Sequence, residues 1–285
     1  MSTRARTVVG LSLGLSCLFW TTPATAAAPP DDKELIARLE PCEELATCAP
    51  SVALLKRGKA AIPALLDGLG HEKELVRFWV CGILSELKAK DAVVPLFGAL
   101  GDKAIRVRAA AAFALGAIGD RRATRKLLEA LRDADLNVRG AAAEALGQLG
   151  DPAAIDGLIA ATRDKDDDVR GFAVLALGDL GAKAAVPALL ERLREDVKPP
   201  VRAYACAALG NLGKPVAAGV VEGLLKAVEG EFNPATRAEC AMALGGLAER
   251  GDSRALLTLT KAAEAPEPVR GAATKALARL APASK

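Results

Sequence analysis

The stretch "NVRGAAAEALGQLGD" (137–151) decides the fold, because close copies of it stand at "RVRAAAAFALGAIGD" (106–120) and "DVRGFAVLALGDLGA" (168–182). Alignment on the arginine collects Arg77, Arg108, Arg139, Arg170, Arg202, Arg237 and Arg270, at intervals of 31, 31, 31, 32, 35 and 33 residues. Val precedes the arginine in every copy except one, where Thr236 stands. Seven residues after it comes Leu (Leu84, Leu115, Leu146, Leu177, Leu209, Leu244, Leu277), and the eighth is Gly in five copies, with Ser85 and Ala278 at the two ends. A period of this length marks an array of small units, each unable to bury its apolar side alone, with atypical copies at the ends.

Each unit reads as two helices. The first carries a Leu pair such as Leu65–Leu66, Leu127–Leu128 or Leu189–Leu190, with Pro63, Pro95 and Pro187 near its start, where a missing N–H costs nothing. The second holds the arginine. Asp135, Asp166 and Asn233, four residues before it, are good N-cap types, and Pro199 and Pro234 fit the first helical position. Endings such as Gly147–x–x–Gly150 are expected to supply a C-terminal turn of positive φ. Composition agrees: 51% of the chain is apolar but only 3% aromatic, so the core must be built from Ala, Leu and Val, which favours closely packed helices.

The Val-Arg run behind an acidic turn, the Ala-rich stretch and the "ALGxLGD" ending resemble the HEAT repeat, in the short subtype of the phycobilisome lyases. The resemblance covers residues 58 to 281. It implies an all-α α-solenoid, a superhelical stack of about seven antiparallel helix pairs, with the second helices lining its concave side. The tetratricopeptide Trp and Tyr positions and the ankyrin Thr-Pro-Leu-His are missing. The expected organisation is a leader over 1–26, an N-terminal cap segment over 27–57 that includes the amphipathic "DDKELIARLE" (31–40), and the solenoid over 58–285.

The leader is read from Arg4 and Arg6, the apolar "TVVGLSLGLSCLFW" (7–20) and the small-residue "TTPATAAA" (21–28), with Ala24 and Ala26 at the −3 and −1 positions of a cleavage site. The apolar run is short for a bilayer span, so the chain is expected to be exported, periplasmic or secreted. Lipidation at Cys17 is the weaker alternative, since Gly14 stands where such signals carry Leu and bulky Leu18, Phe19 and Trp20 follow the cysteine. Of the 38 basic residues two lie in the leader, leaving 36 against 35 acidic, a balance near +1 that disfavours nucleic acid and anionic membranes as partners.

Cys42 and Cys48 bracket "PCEELATCAP" (41–50) outside the repeats; an oxidising compartment permits a local disulfide there, and two free thiols in a capping turn are the alternative. Cys81, Cys206 and Cys240 sit at equivalent places in repeats and read as small buried apolar groups. No cysteine set has metal-ligand types or spacing.

Six residues before each arginine stands a polar group, His71, Asp102, Asp133, Asp164, Asp196, Glu231 or Glu264. An acid at the turn and an arginine in the first helical turn predict a structural ladder in which each of the seven arginines bridges to a neighbouring repeat's acid or turn carbonyls. Seven equivalent positions do not make a catalytic site.

With the arginine as position 0 and about 100° per residue, positions −1, +3, +7 and +10 form the core face, and +2, +5 and +9 fall opposite, near 140–200°. Soluble helices are expected to be polar there, yet Trp79, Phe172 and Tyr204 occupy +2 and Phe113 occupies +5. These four are the candidate protein-binding residues, because exposed apolar strips with aromatic anchors mark interfaces; packing against the neighbouring second helix is the competing account.

His71 is the single histidine. HEAT-type deoxyhypusine hydroxylases use several His-Glu pairs for a di-iron centre, whereas here one pair, His71-Glu72, is present, and His71 takes the turn slot. No nucleophile elbow and no phosphate-cradling loop occurs. The sequence therefore predicts no catalytic residue, metal or cofactor. It predicts a monomeric, non-enzymatic scaffold or assembly factor of the cell envelope that binds another protein through its concave face. The alternative is a lyase-like or chaperone-like helper of a cofactor-bearing protein.

Overall fold

A computed structural model describes residues 30–40, 42–44, 46–215 and 219–281. The expected leader, with Arg4, Arg6, Cys17 and the cleavage site, lies outside them. From Asp31 onward the chain forms one unit built from helices, with no strand among the described residues.

Seven helix pairs follow one another in one phase. Their first helices are α3 (Ile62–Gly68), α5 (Val93–Ala99), α7 (Thr124–Ala130), α9 (Ile155–Ala161), α11 (Val186–Glu195), α13 (Val220–Gly230) and α15 (Ser253–Ala263). Their second helices are α4 (Glu74–Glu86), α6 (Ile105–Ile118), α8 (Leu136–Leu149), α10 (Asp167–Asp179), α12 (Pro199–Asn211), α14 (Pro234–Leu247) and α16 (Val269–Leu280). Each second helix packs on its own first helix and on the second helices before and after it, the arrangement of an α-solenoid. Before the first pair stand α1 (Asp32–Ala37) and α2 (Ala49–Arg57), which pack on α3 and α4.

Local chemistry accounts for the boundaries. Asp135 and Asp166 cap α8 and α10, accepting from the backbone N–H of Asn137 and of Asp168 and Val169; Asn233 caps α14 through the N–H of Thr236. Asp31 opens α1 by accepting from Glu34 N–H at 2.7 Å, and Arg57 pairs with Asp32 to tie α2 to α1. The core face predicted from the 3.6-residue period holds at −1, +3 and +7, whereas at +10 Leu87, Leu180 and Leu212 are only half-buried. The residue before each arginine, the third after it and the Leu seven after it are buried in every pair from α4 to α14.

Two expectations about repeat positions need correction. The first glycine of the Gly–x–x–Gly endings is not a turn residue: positive φ belongs to the second, as at Gly119 and Gly150. The first lies inside the helix where consecutive second helices touch. A Cβ on Gly116, Gly147, Gly178, Gly210 or Gly245 would lie 2.4–3.2 Å from Ala145, Ala176, Ala208, Ala243 or Ala276, the alanine six residues after the next arginine. Five glycines thus let the second helices approach one another backbone to side chain.

The second correction concerns cysteine. Cys206 and Cys240 are buried but joined in a disulfide between α12 and α14, their Cα atoms 4.9 Å apart. Positions +4 of one unit and +3 of the next face each other across the seam of second helices. Cys81 occupies the same +4 position, but the next unit has Ala111 rather than a cysteine at +3, and Cys81 stays a buried free thiol whose pKa is pushed up to about 12 by burial. Cys42 and Cys48 are also disulfide-bonded, with Cα atoms 5.5 Å apart.

Candidate functional site

The loop between the two helices of a pair places the acid, and the first turn of the second helix places the arginine. Arg77, Arg108, Arg139 and Arg170 each reach forward to the acid of the next unit through two parallel hydrogen bonds. Nε and Nη2 donate to Asp102 at 2.6 and 2.8 Å, Asp133 at 2.8 and 2.9 Å, Asp164 at 2.8 and 2.9 Å, and Asp196 at 2.7 and 2.9 Å. Arg202 grips Glu231 in the same fork at 2.7 and 2.7 Å. The remaining Nη1 donates back to the unit's own loop, to the carbonyls of His71, Asp102, Asp133, Asp164 and Asp196. One guanidinium therefore fastens two successive loops, a task its planar fork suits and an ammonium does not.

Each acid is itself pinned by its own loop. Asp102, Asp133, Asp164, Asp196 and Glu231 accept from the backbone N–H two residues on, at Ala104, Asp135, Asp166, Lys198 and Asn233. In the first unit His71 Nδ1 accepts in the same way from Lys73 N–H.

Arg237 and Arg270 do not extend this series. Two residues after Glu264 stands Pro266, which has no N–H to hold the carboxylate in the loop, and Arg237 Nε donates instead to Val228 O at 2.7 Å. Arg270, in the last described unit, pairs among the described residues with Glu267 of its own helix entry, 3.3 Å away on the surface.

The five gripped acids are all held below their ordinary range. For Asp102, Asp133 and Glu231 the arginine hydrogen bond is the main cause; for Asp164 and Asp196 burial pushes upward most strongly but is outweighed by the arginine and the loop N–H together. A carboxylate whose folded pKa is depressed gives stability that is fully present above its unfolded value, here 3.8 for Asp and 4.5 for Glu. That stability is lost as pH falls through the lowered folded value. Circular-dichroism melts should therefore show little change from these groups between neutrality and about pH 5. Below about pH 4 the midpoint should fall steeply; a midpoint that holds to pH 2.5 would contradict this account.

On the solvent-facing side of the second helices the four candidate aromatics do not form one cluster. Trp79 and Phe113 line a single groove of about 960 Å³ across α4, α6 and α8, whose floor is Gly82, Ala109, Ala110 and Ala141. Phe78 joins them, its ring edge-on to Trp79 at 4.9 Å between centroids. Trp79 is half-buried, and its buried Nε1 has no hydrogen-bond partner among the described residues. Tyr204 lines a separate depression of about 500 Å³ between α12 and α14. Phe172 lies between the two.

Phe172 and Tyr204 pack against the neighbouring second helix and stay partly exposed. Their rings lie on the bare backbone of the preceding helix, where a Cβ on Gly140 or Gly171 would come within 3.3 and 3.2 Å of ring carbons. Even so, 38% of Phe172 and 39% of Tyr204 stays exposed, and 46% of Phe113. Ile105 and Leu136, in the first turns of α6 and α8, are exposed as well and extend the apolar strip. The sequence carried a signal for them, since the equivalent positions hold Glu74 and Asp167 in neighbouring units; a search confined to +2, +5 and +9 passes over them. No group of three or more His, Cys, Asp or Glu side chains among the described residues is placed to hold a metal ion, and no described helix is long and apolar enough to cross a membrane.

A family model for HEAT repeats matches residues 93–171 and 155–227. No curated protein matches the chain. Among solved structures, Escherichia coli YibA is 22% identical over 82% of this chain and 86% of its own, with a TM-score of 0.61. An engineered protein is 18% identical over 87% and 78%, with a TM-score of 0.53. The complex of CpcE and CpcF of phycocyanin lyase from Nostoc sp. PCC7120 gives 24% identity over 76% and 93%, with a TM-score of 0.49. At such identities the first two likenesses are of fold. The match makes residues 93–227 a run of HEAT repeats, and the seven helix pairs in one phase carry the α-solenoid architecture of such repeats along the chain on both sides of it.

Proposed function

We propose that this repeat scaffold is non-enzymatic and holds a partner protein on the exposed, concave side of its second helices. The observation that carries the reading is the apolar groove over α4, α6 and α8, walled by Phe78, Trp79 and Phe113 on a floor of glycine and alanine. Concave apolar surfaces with aromatic walls and a polar border are where partners bury area. Its ionisable lining residues are Glu74, Lys103 and Arg106, with Glu74 3.7 Å from Arg106, and the rest of the lining is mostly apolar, which supports binding. Residues 1–26 as an export leader, together with two disulfides, support a working place in the cell envelope, where thiols persist oxidised. There the chain acts as a monomeric scaffold or assembly factor.

Replacing Trp79 and Tyr204 together by alanine should reduce capture of the native envelope partner at least tenfold while leaving the helical circular-dichroism spectrum unchanged. Undiminished capture removes this surface from consideration. A lyase-like helper would instead purify with a visible absorption band from bound pigment.

A further inference from the structure

The same surface carries a charge pattern that none of the preceding assignments uses. On the second helices from α4 to α14, positions −2, +2, +5 and +9 share the outward strip near 140–200°. The aromatics Trp79, Phe113, Phe172 and Tyr204 lie on it, and so do five carboxylates: Glu86, Glu144, Asp168, Asp179 and Glu239. From α4 to α14 Arg106 is the single cation on that strip, 3.7 Å from Glu74 at the groove's edge, where Lys103 also lines the groove. On α16 the same strip carries Lys275 and Arg279, so the acids still outnumber the cations along it. Glu86, Asp168, Asp179 and Glu239 are exposed, and none of the five pairs with a cation among the described residues. Glu144 only accepts from Gln148 of its own helix at 3.2 Å.

The ladder arginines do not offset these acids, because Arg77, Arg108, Arg139, Arg170 and Arg202 are each committed to a carboxylate of the next loop. Since the whole chain has a formal net charge of +3, the excess of acid is local to this strip. Exposed carboxylates left without partners next to exposed aromatic faces form a surface complementary to cations that also carry apolar groups. Carboxylates steer and pair them, and the rings add cation–π attraction.

We infer that the occupant of this face is a cationic amphipathic segment of a partner protein, with Lys or Arg interleaved among apolar anchors. This rests on the docking reading above and gives it a chemical class of partner. The carboxylates are spread from α4 to α14 rather than clustered, so the occupant must run along the stack. Five steps between second helices at about 8–10 Å cover roughly 40–50 Å, the length of a helix of about 27–33 residues. Such a helix lays its anchors in the groove at i, i+3, i+4 and i+7 and keeps its cations over the acids.

The test uses the full chain and two labelled synthetic helical peptides of about 30 residues, identical in their leucine positions, with lysine at the polar positions of one and glutamate in the other. In fluorescence polarisation the lysine peptide should bind at least thirtyfold more tightly, and its affinity should fall at least fivefold between 50 and 300 mM salt, about the effect of shortening the Debye length. Glu144→Gln, Asp168→Asn and Asp179→Asn combined should weaken it at least tenfold. Combined changes of first-helix-side acids, Asp91→Asn, Asp156→Asn and Glu195→Gln, should leave it within twofold.

Equal loss in both triple variants, or no binding of the lysine peptide, overturns the inference. If both peptides bind alike and both are lost with Trp79→Ala and Tyr204→Ala, the docking surface stands and its preference for cations falls. If the lysine peptide binds unchanged after those aromatic replacements, the docking surface falls with it.

Discussion

An Arg139→Ala variant is expected to melt about 6–12 °C below the parent chain, from a loss of about 3 kcal/mol at roughly 2–4 °C per kcal/mol for a domain of this size. Arg139 is an interior rung with 6% of its side chain exposed, facing an Asp164 with 14% exposed. Removing the guanidinium deletes two hydrogen bonds to Asp164 and two to the carbonyls of Asp133 and Ala134. It leaves a carboxylate in a place whose burial works against its charge. That remainder, more than the lost attraction, is what makes breaking such a pair costly.

Arg139→Lys should recover little, because a point charge cannot span two acid oxygens and the loop carbonyls together. Asp164→Asn keeps an oxygen for Asp166 N–H but removes the charge, so it should cost less than Arg139→Ala. The double variant should cost clearly less than the sum of the two, since the residues are in contact. An Arg139→Ala midpoint within 1–2 °C of the parent would mean that the loops are fastened by packing alone. Arg237→Ala is the internal control: with no next-unit acid in its grip, its replacement should cost far less.

The ladder's residues are readable in the sequence because both partners recur at fixed offsets, the acid six before each arginine. Its end point was readable too, but only by asking what holds the acid: Pro266 removes the one N–H that every gripped acid uses. The Cys206–Cys240 bond was hidden for a different reason. Counting each helix separately puts both cysteines on the core face, and only the relative rotation of adjacent second helices shows that +4 of one unit meets +3 of the next. The groove was half legible for the same cause. Period and position expose Trp79 and Phe113 one helix at a time; their joining across α4, α6 and α8 while Tyr204 stands apart is a property of the stack. The eighth-position glycine was visible as a pattern but misread as a turn, since a helix-ending motif and a helix-contact motif both select for the smallest residue.

That misreading can be decided by a pair of substitutions whose effects should have opposite sign. Gly98, in α5, and Gly116, in α6, are both helical, and local propensity alone favours alanine at each by about 0.8–1 kcal/mol. Nothing lies within 4 Å of a Cβ built on Gly98, so Gly98→Ala should raise the melting temperature by a few degrees at most. At Gly116 a Cβ would lie 2.6 Å from Ala145 Cα and 2.7 Å from its Cβ. The nearest obstacle is backbone, so no side-chain rotation relieves it and α6 must move from α8.

Overpacking of this kind costs about 1–3 kcal/mol, enough to reverse the propensity gain for Gly116→Ala. Gly116→Leu should reach about 3 kcal/mol or more at the same site. Because a solenoid's stability is a sum of unit and nearest-neighbour interface terms, prying apart one interior seam weakens the coupling between the units on either side. The Gly116→Leu melt should accordingly broaden or split into two transitions, and hydrogen exchange should quicken first in α6 and α8. A sharp, undiminished melt for Gly116→Leu would show that the second helices are not held at the spacing these glycines allow, and the groove over α4, α6 and α8 would lose its floor along with that spacing.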